Sequence, residues 1–227
     1  MYSNFQEMAG KKSTLIDKQT IISYYMGYVL ENETYPKSVY KFCKEVKIKE
    51  EEFYKFFGNI EKLKTSIWSE FYSNATGVMY ANKDFDNYSN REKMLTFFYT
   101  FFELLTMNRS FVLFDLKENN EGFKNLQRLS GLRKDIRSFA TKLIEEENED
   151  KPFKVTKRPV FLFAEGAWIQ TVFLLKFWLD DDSAEFEKTD MAIEKSVNTI
   201  FDVFDNTPLE SVLDFGKFLW KENSFRN

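Results

Sequence analysis

The sequence predicts an all-α protein, with a small N-terminal head of three helices and a larger helical body. Three observations lead there. Apolar residues recur at three- and four-residue spacing along most of the chain, and no run alternates long enough to argue for a strand. Two segments, Ser89-Asn90-Arg91-Glu92 and Thr207-Pro208-Leu209-Glu210, read as helix starts. In each, a hydroxyl and a glutamate three residues on satisfy free amides of the first turn. The 227 residues include 26 phenylalanines against 8 glycines and 4 prolines, a balance that favours long helices with large aromatic interiors. A chain of this length buries roughly 70–75% of its unfolded surface, so its core needs no staple.

The elements follow in order. A first helix is expected over 17–31, with Ile21, Ile22, Tyr25, Met26, Val29 and Leu30 on one face. Tyr35-Pro36 breaks it, because the residue before proline avoids helical geometry. A short helix over 37–46, the turn Lys47-Ile48-Lys49 and a second short helix over 50–57 come next. Gly58 stops that helix, and Asn59 caps a longer one reaching residue 80. Ser89 opens an aromatic helix with Phe97, Phe98, Phe101 and Phe102. Further helices are expected over 121–147, 157–181 and 189–204, joined by polar loops such as EEENEDK (145–151) and DDDS (180–183). A last amphipathic segment, 208–225, carries Leu209, Val212, Phe215, Phe218, Leu219 and Trp220; docking on the body explains it better than a membrane contact.

Composition excludes several functions. Histidine is absent, which removes Ser-His-Asp and Cys-His catalysis and His-ligated zinc or haem. Di-iron bundles built on Glu-x-x-His pairs go with them. Carboxylates are plentiful, but no motif arranges them, so the chain reads as a non-enzyme with no metal and no cofactor. The single Cys43 suits a reducing cytosol and lies in an apolar pattern with Val39, Phe42 and Val46. The N-terminus lacks the apolar run of a secretory leader. Residues 159–179 approach the length of a membrane span, but Glu165, Gln170 and Lys176 interrupt them. A core or subunit-contact helix accounts for that pattern. The expectation is a cytoplasmic protein with no membrane partner.

Net charge is −4, so no overall basic field attracts nucleic acid. Residues 1–70 nevertheless carry 11 lysines against 10 acidic residues, and the first arginine is Arg91. Any phosphates held by the head are held by lysine.

Short helix, tight turn and short helix after a supporting helix is the helix-turn-helix plan. Val39, Phe42, Cys43 and Val46 face inward from the first short helix, Ile48 plugs the turn, and Phe53 and Phe57 close the small core. At these residues the chain resembles the TetR family of transcriptional regulators. Val46-Lys47-Ile48-Lys49 stands where that family has Ala-Gly-Val-Ser; Phe53-Tyr54 stands for Leu-Tyr, Phe57 matches its phenylalanine, and Ile60-Glu61 replaces Lys-Glu ahead of Leu63. The likeness extends over the chain as a head, a connecting fourth helix and a helical body. The segments WLDDDSAEF and KTDMAIEKSV look like the link between the last two main body helices, which in the family form the dimer bundle. The resemblance implies a helix-turn-helix DNA-binding domain over 1–60 and a ligand-binding and dimerisation domain over 61–227. It also implies three partners: duplex DNA, a second copy of the chain as a homodimer, and an apolar or aromatic small-molecule effector.

The departures fall on the DNA face. Lys47 replaces the turn glycine, Lys49 the capping serine, and Ile60 the phosphate-binding lysine. Glu50, Glu51 and Glu52 suit a helix start, each worth roughly 0.3–1 kcal/mol against the helix dipole. A unit charge about 8 Å from a phosphate costs about 0.5 kcal/mol in water. A few lysine–phosphate contacts offset three such charges, because each releases a counterion. The candidate DNA-binding residues are Lys37, Lys41, Lys47, Lys49, Lys55 and Lys62, with Ser38 and Tyr54 as neutral phosphate donors. In the body, Phe98, Phe101, Phe102, Phe114, Trp168 and Phe173 suit an apolar effector cavity, with Glu165 and Gln170 as its polar groups. Gly166-Ala167 offers a place for another helix to approach closely. The alternative reading is a TetR-fold small-molecule or lipid carrier that has lost DNA binding.

Overall fold

The computed structural model describes residues 16–117, 128–149 and 157–206, with side chains for all of these except Lys117, Asp205 and Asn206. Among the described residues there is no strand. The α-helices are α1 (Lys18–Asn32), α2 (Val39–Glu45), α3 (Glu50–Tyr54), α4 (Ile60–Tyr80), α5 (Asn90–Met107), α6 (Arg109–Lys117), α7 (Ser130–Glu149), α8 (Val160–Asp180) and α9 (Glu187–Asn206). The all-α fold class holds. Contacts divide the chain into two compact units, Met1–Lys64 and Thr65–Asn227, so the division falls inside α4.

In the first unit, Asp17 caps α1 by accepting from the Thr20 amide and hydroxyl, each at 2.7 Å. Glu33 ends α1 with φ of 49°, two residues before Tyr35-Pro36. Ser38 Oγ accepts from the Lys41 amide and caps α2. The core is a chain of ring edges: Tyr25 on Phe42 at 5.9 Å, Phe42 on Phe53 at 6.1 Å, and Phe53 on Phe57 at 5.7 Å. Each fully buried ring contributes about 1.5–3 kcal/mol by area alone. Val39, Cys43 and Leu63 complete it, while Val46 and Ile48 are only half-buried and Leu30 is exposed. Asn59 Oδ1 accepts from the Lys62 amide at 2.8 Å and starts α4. The Lys64 ammonium is buried, 3.7 Å from the centre of the Tyr35 ring and 2.9 Å from Glu61.

In the second unit, α5 supplies the aromatic centre. Phe97, Phe98, Phe101 and Phe102 are buried, with Phe97 stacked on Phe101 at 5.5 Å and against Phe139 of α7 at 5.3 Å. The expected Ser89–Glu92 capping box is formed. Helix α8 packs on α7 and α9 and buries Phe163, Ala167, Trp168, Leu174, Leu175 and Trp178. It is long and apolar enough to cross a membrane by length and composition alone, and a core helix passes the same test.

Two expectations need correction. The helix expected to end at 147 runs two residues further, so the EEENE part of the expected loop 145–151 is helical through Glu149. Asn148 is buried there and exchanges two hydrogen bonds with the Arg158 backbone, at 2.8 and 2.9 Å, while Glu147 pairs with the Arg158 guanidinium. Those contacts hold the last turn, and local polarity does not reveal them. Helix α6 was not separated from α5 in the sequence, because no proline or glycine marks Asn108, where the chain turns. Among the described residues no helix closely approaches Gly166, which has nothing within 4 Å of a Cβ position, whereas a Cβ at Gly131 would lie 2.7 Å from Ser69 Oγ. The Thr207–Glu210 capping box, the 208–225 segment and the expected start of a helix at 121 lie outside the described residues.

Candidate nucleic-acid interface and ligand clefts

The turn between α2 and α3 begins at Lys47, whose φ is 58°. That left-handed conformation favours glycine, which is what the resemblance expects there. The Ile48 amide donates to the Cys43 carbonyl at 3.0 Å and closes the turn. Lys37, Ser38, Lys41, Lys47, Lys49, Tyr54, Lys55 and Lys62 are all exposed on the first unit. Among the described residues, Lys37, Lys41, Lys47 and Lys55 have no ion-pair partner. Ser38 spends its acceptor on the α2 cap, which leaves its hydroxyl proton to donate.

The three glutamates are not equivalent. Lys49 has no acceptor to cap α3, and the Glu52 carboxylate instead accepts from the Lys49 amide at 3.1 Å. Glu51 pairs loosely with the Lys49 ammonium at 3.3 Å, with both side chains well exposed. Burial, with Glu50 and Glu52 adding to it, pushes the Cys43 thiol up to about 11. Two of the three acidic groups thus lie near α2, and Glu51 is the one fully at the surface.

In the body, Phe98 and Phe101 are wholly buried, Phe102 and Trp168 nearly so, and Phe114 is half-buried. Glu165 is held by Arg133 at 3.1 Å and Arg137 at 2.9 Å, both on α7. Gln170 donates to Ser196 of α9 at 2.9 Å. The protein itself therefore supplies partners to both expected polar ligand groups. Phe173 is 51% exposed and, with Gln170, lines an apolar groove of about 670 Å³ between α8 and α9. Phe102 lines a second, smaller cleft of about 280 Å³ between α5 and the α8–α9 corner.

That corner is heavily tied. Arg109 of α6 donates to the Trp178 carbonyl at 3.1 Å and the Asp181 carbonyl at 3.3 Å, capping α8. Asp181 then accepts from the amides and hydroxyls of both Ser183 and Thr189, at 2.6 to 2.9 Å. Burial alone would raise the Asp181 carboxyl, but those hydrogen bonds bring it down to about 2. Trp68 of α4 donates to the buried Asp115 of α6 at 2.9 Å, and Arg128 pairs with Asp115 at 3.2 Å. None of Arg109, Trp68 or Gly131 stood out in the sequence. Ile169, Phe173 and Phe177 recur every four residues along α8 and are all exposed, a division between core and surface that the sequence alone does not make.

Residues 93–219 match the family described as the tetracyclin repressor-like C-terminal domain. No curated protein matches the chain. The family match takes in most of α5, the described helices after it and more than half of the sequence, and the chain belongs to the TetR family.

Proposed function

We propose that the protein is a homodimeric, ligand-responsive transcriptional regulator that binds duplex DNA through its first unit. The observation that carries this is the turn after α2: Lys47 holds a left-handed backbone, as a helix-turn-helix requires, amid exposed lysines without ion-pair partners. A lysine in that conformation costs roughly 1–2 kcal/mol, and phosphate contact gives the residue a role that glycine lacks. The domain roles expected from the sequence, DNA at the head and effector and partner at the body, belong to this reading. So do the eight head residues, with Lys37, Lys41 and Lys55 as phosphate contacts and Tyr54 on α3 as a neutral donor.

The second copy is assigned to the α8–α9 groove, where Ile169 and Phe173 are each more than half exposed. Helix α4 is the coupling element. Trp68 ties it to α6, and Gly131 lets α7 come within contact of Ser69. A ligand that prefers one arrangement of the body acts on DNA affinity through α4, typically by 1–3 kcal/mol.

Selection of bound sequences from random duplex DNA tests the reading, followed by a salt titration on the enriched site. Enrichment is expected, with a log–log slope of several phosphates at about −0.9 each. Lys49→Glu and Lys55→Glu should each weaken binding. No enrichment by a folded dimer would move the assignment to a ligand carrier without DNA binding.

A further inference from the structure

The cleft between α5 and the α8–α9 corner has a chemistry of its own. Its walls are rings: Tyr99 and Phe102 from α5, Trp178 from α8, and Phe186 from the turn before α9. Its rim carries three exposed carboxylates, Glu103, Glu185 and Asp190. Among the described residues none of the three has a hydrogen-bond or ion-pair partner. Two neighbouring groups register the negative field. Burial raises the Asp190 carboxyl and Asp181 raises it further; burial raises the Tyr99 hydroxyl, and Glu194 and Asp190 add to it.

The nearby bases are already committed. Lys188 pairs with Asp182 at 2.8 Å. Arg109 gives its protons to carbonyls at the end of α8. Its guanidinium carbon lies 4.4 Å from the Trp178 ring centre and 4.5 Å from that of Phe186. Two of the cleft's four rings thus already take a cation on their faces, which is what a ring quadrupole favours. A neutral apolar ligand would fill the same space but leave the three carboxylates uncompensated. An anion would be repelled.

We propose that this cleft binds an organic cation with an apolar or aromatic body, a quaternary ammonium on a ring being the simplest form. The inference rests on the ligand-binding half of the reading above and not on the DNA half. A cleft that binds no cation leaves the DNA selection experiment untouched, and the reverse also holds.

The test is calorimetric titration of the full chain with benzyltrimethylammonium, with neutral benzyl alcohol and anionic benzenesulfonate as comparators. Quenching or enhancement of tryptophan fluorescence reports contact near Trp178. The cation is expected to bind at least about tenfold tighter than either comparator, a difference of about 1.4 kcal/mol. The double variant Glu103→Gln with Asp190→Asn should remove most of that preference. Both residues are exposed, so the fold survives the change. Phe186→Leu should weaken the cation more than the alcohol. Equal affinity for benzyl alcohol and the cation, unchanged cation binding by the double variant, or no heat with the cation at about 10 mM would each overturn the proposal.

Discussion

At position 47 a lysine holds a backbone conformation that favours glycine, and the side chain and the backbone there make opposite demands. Lys47→Gly removes the left-handed cost but adds the entropy of a freer unfolded chain. The net expectation is a gain of about 0.5–1 kcal/mol in urea unfolding of the head. Duplex DNA affinity should fall at the same time, with the salt slope smaller by about one phosphate. Lys47→Ala should lose the same affinity without the gain in stability, so the pair of variants separates the two demands. Asp181 makes a second residue-scale case. Its carboxyl lies below the usual value, so its stabilising effect is full above about pH 4 and is lost as pH falls through its folded value of about 2. Asp181→Asn should melt at lower temperature than the native chain at pH 6, and the gap should narrow in melts at pH 3 and below. A gap independent of pH would mean that charge on Asp181 does not cap the corner.

At the scale of elements, α4 is gripped at two points one residue apart, Trp68 and Ser69. Trp68→Phe removes an indole donor from a buried carboxylate, and an unsatisfied buried group costs about 1–3 kcal/mol. Urea unfolding should show that loss with an unchanged slope. Gly131→Ala should destabilise by about 1 kcal/mol through overpacking, and Ser69→Ala in the same chain should restore the loss, because the clash is with Ser69 Oγ. Neither contact was legible in the sequence. Tryptophan in an apolar helix face looks like packing, and Gly131 lies unmarked inside the helix expected over 121–147; only the approach of α7 and α6 gives them partners. Local signals were read correctly where one turn decides. Asn59 and Ser89 cap helices as expected, because a cap is a contact between residues three apart, and Asp17 and Ser38 cap the helices expected to begin at 17 and 37. The end of α7 is not legible in the sequence for the converse reason. Asn148 and Glu147 look like loop residues until Arg158, ten residues on, satisfies them.

At the scale of the whole molecule, the sequence already carried the apolar balance of α8, but it could not apportion that balance between core and surface. Phe173, part of the expected ligand lining, is exposed, as are Phe161 and Phe177. With Ile169 and residues of α9, Phe173 borders a groove of about 670 Å³. An exposed apolar face of this kind on a helix pair needs cover, and the proposed cover is the same face of a second chain. In a two-fold interface each residue meets its own counterpart region, so one substitution introduces two changes. Phe173→Glu therefore puts two carboxylates into an apolar contact at once. The native chain is expected to run as a dimer at about 10 µM in size-exclusion chromatography with light scattering, its interface in the usual range of roughly 1,200–2,000 Å². Phe173→Glu should run as a monomer with unchanged helical circular dichroism, because Phe173 is already half exposed in the single chain. Met107→Glu, at 66% exposure and outside the groove, should stay dimeric and shows that loss of surface apolarity alone is not the cause. Should Phe173→Glu keep the native mass, or the native chain prove monomeric, the α8–α9 face is not where two copies meet. The two heads would then lack the fixed spacing on which paired DNA contacts depend.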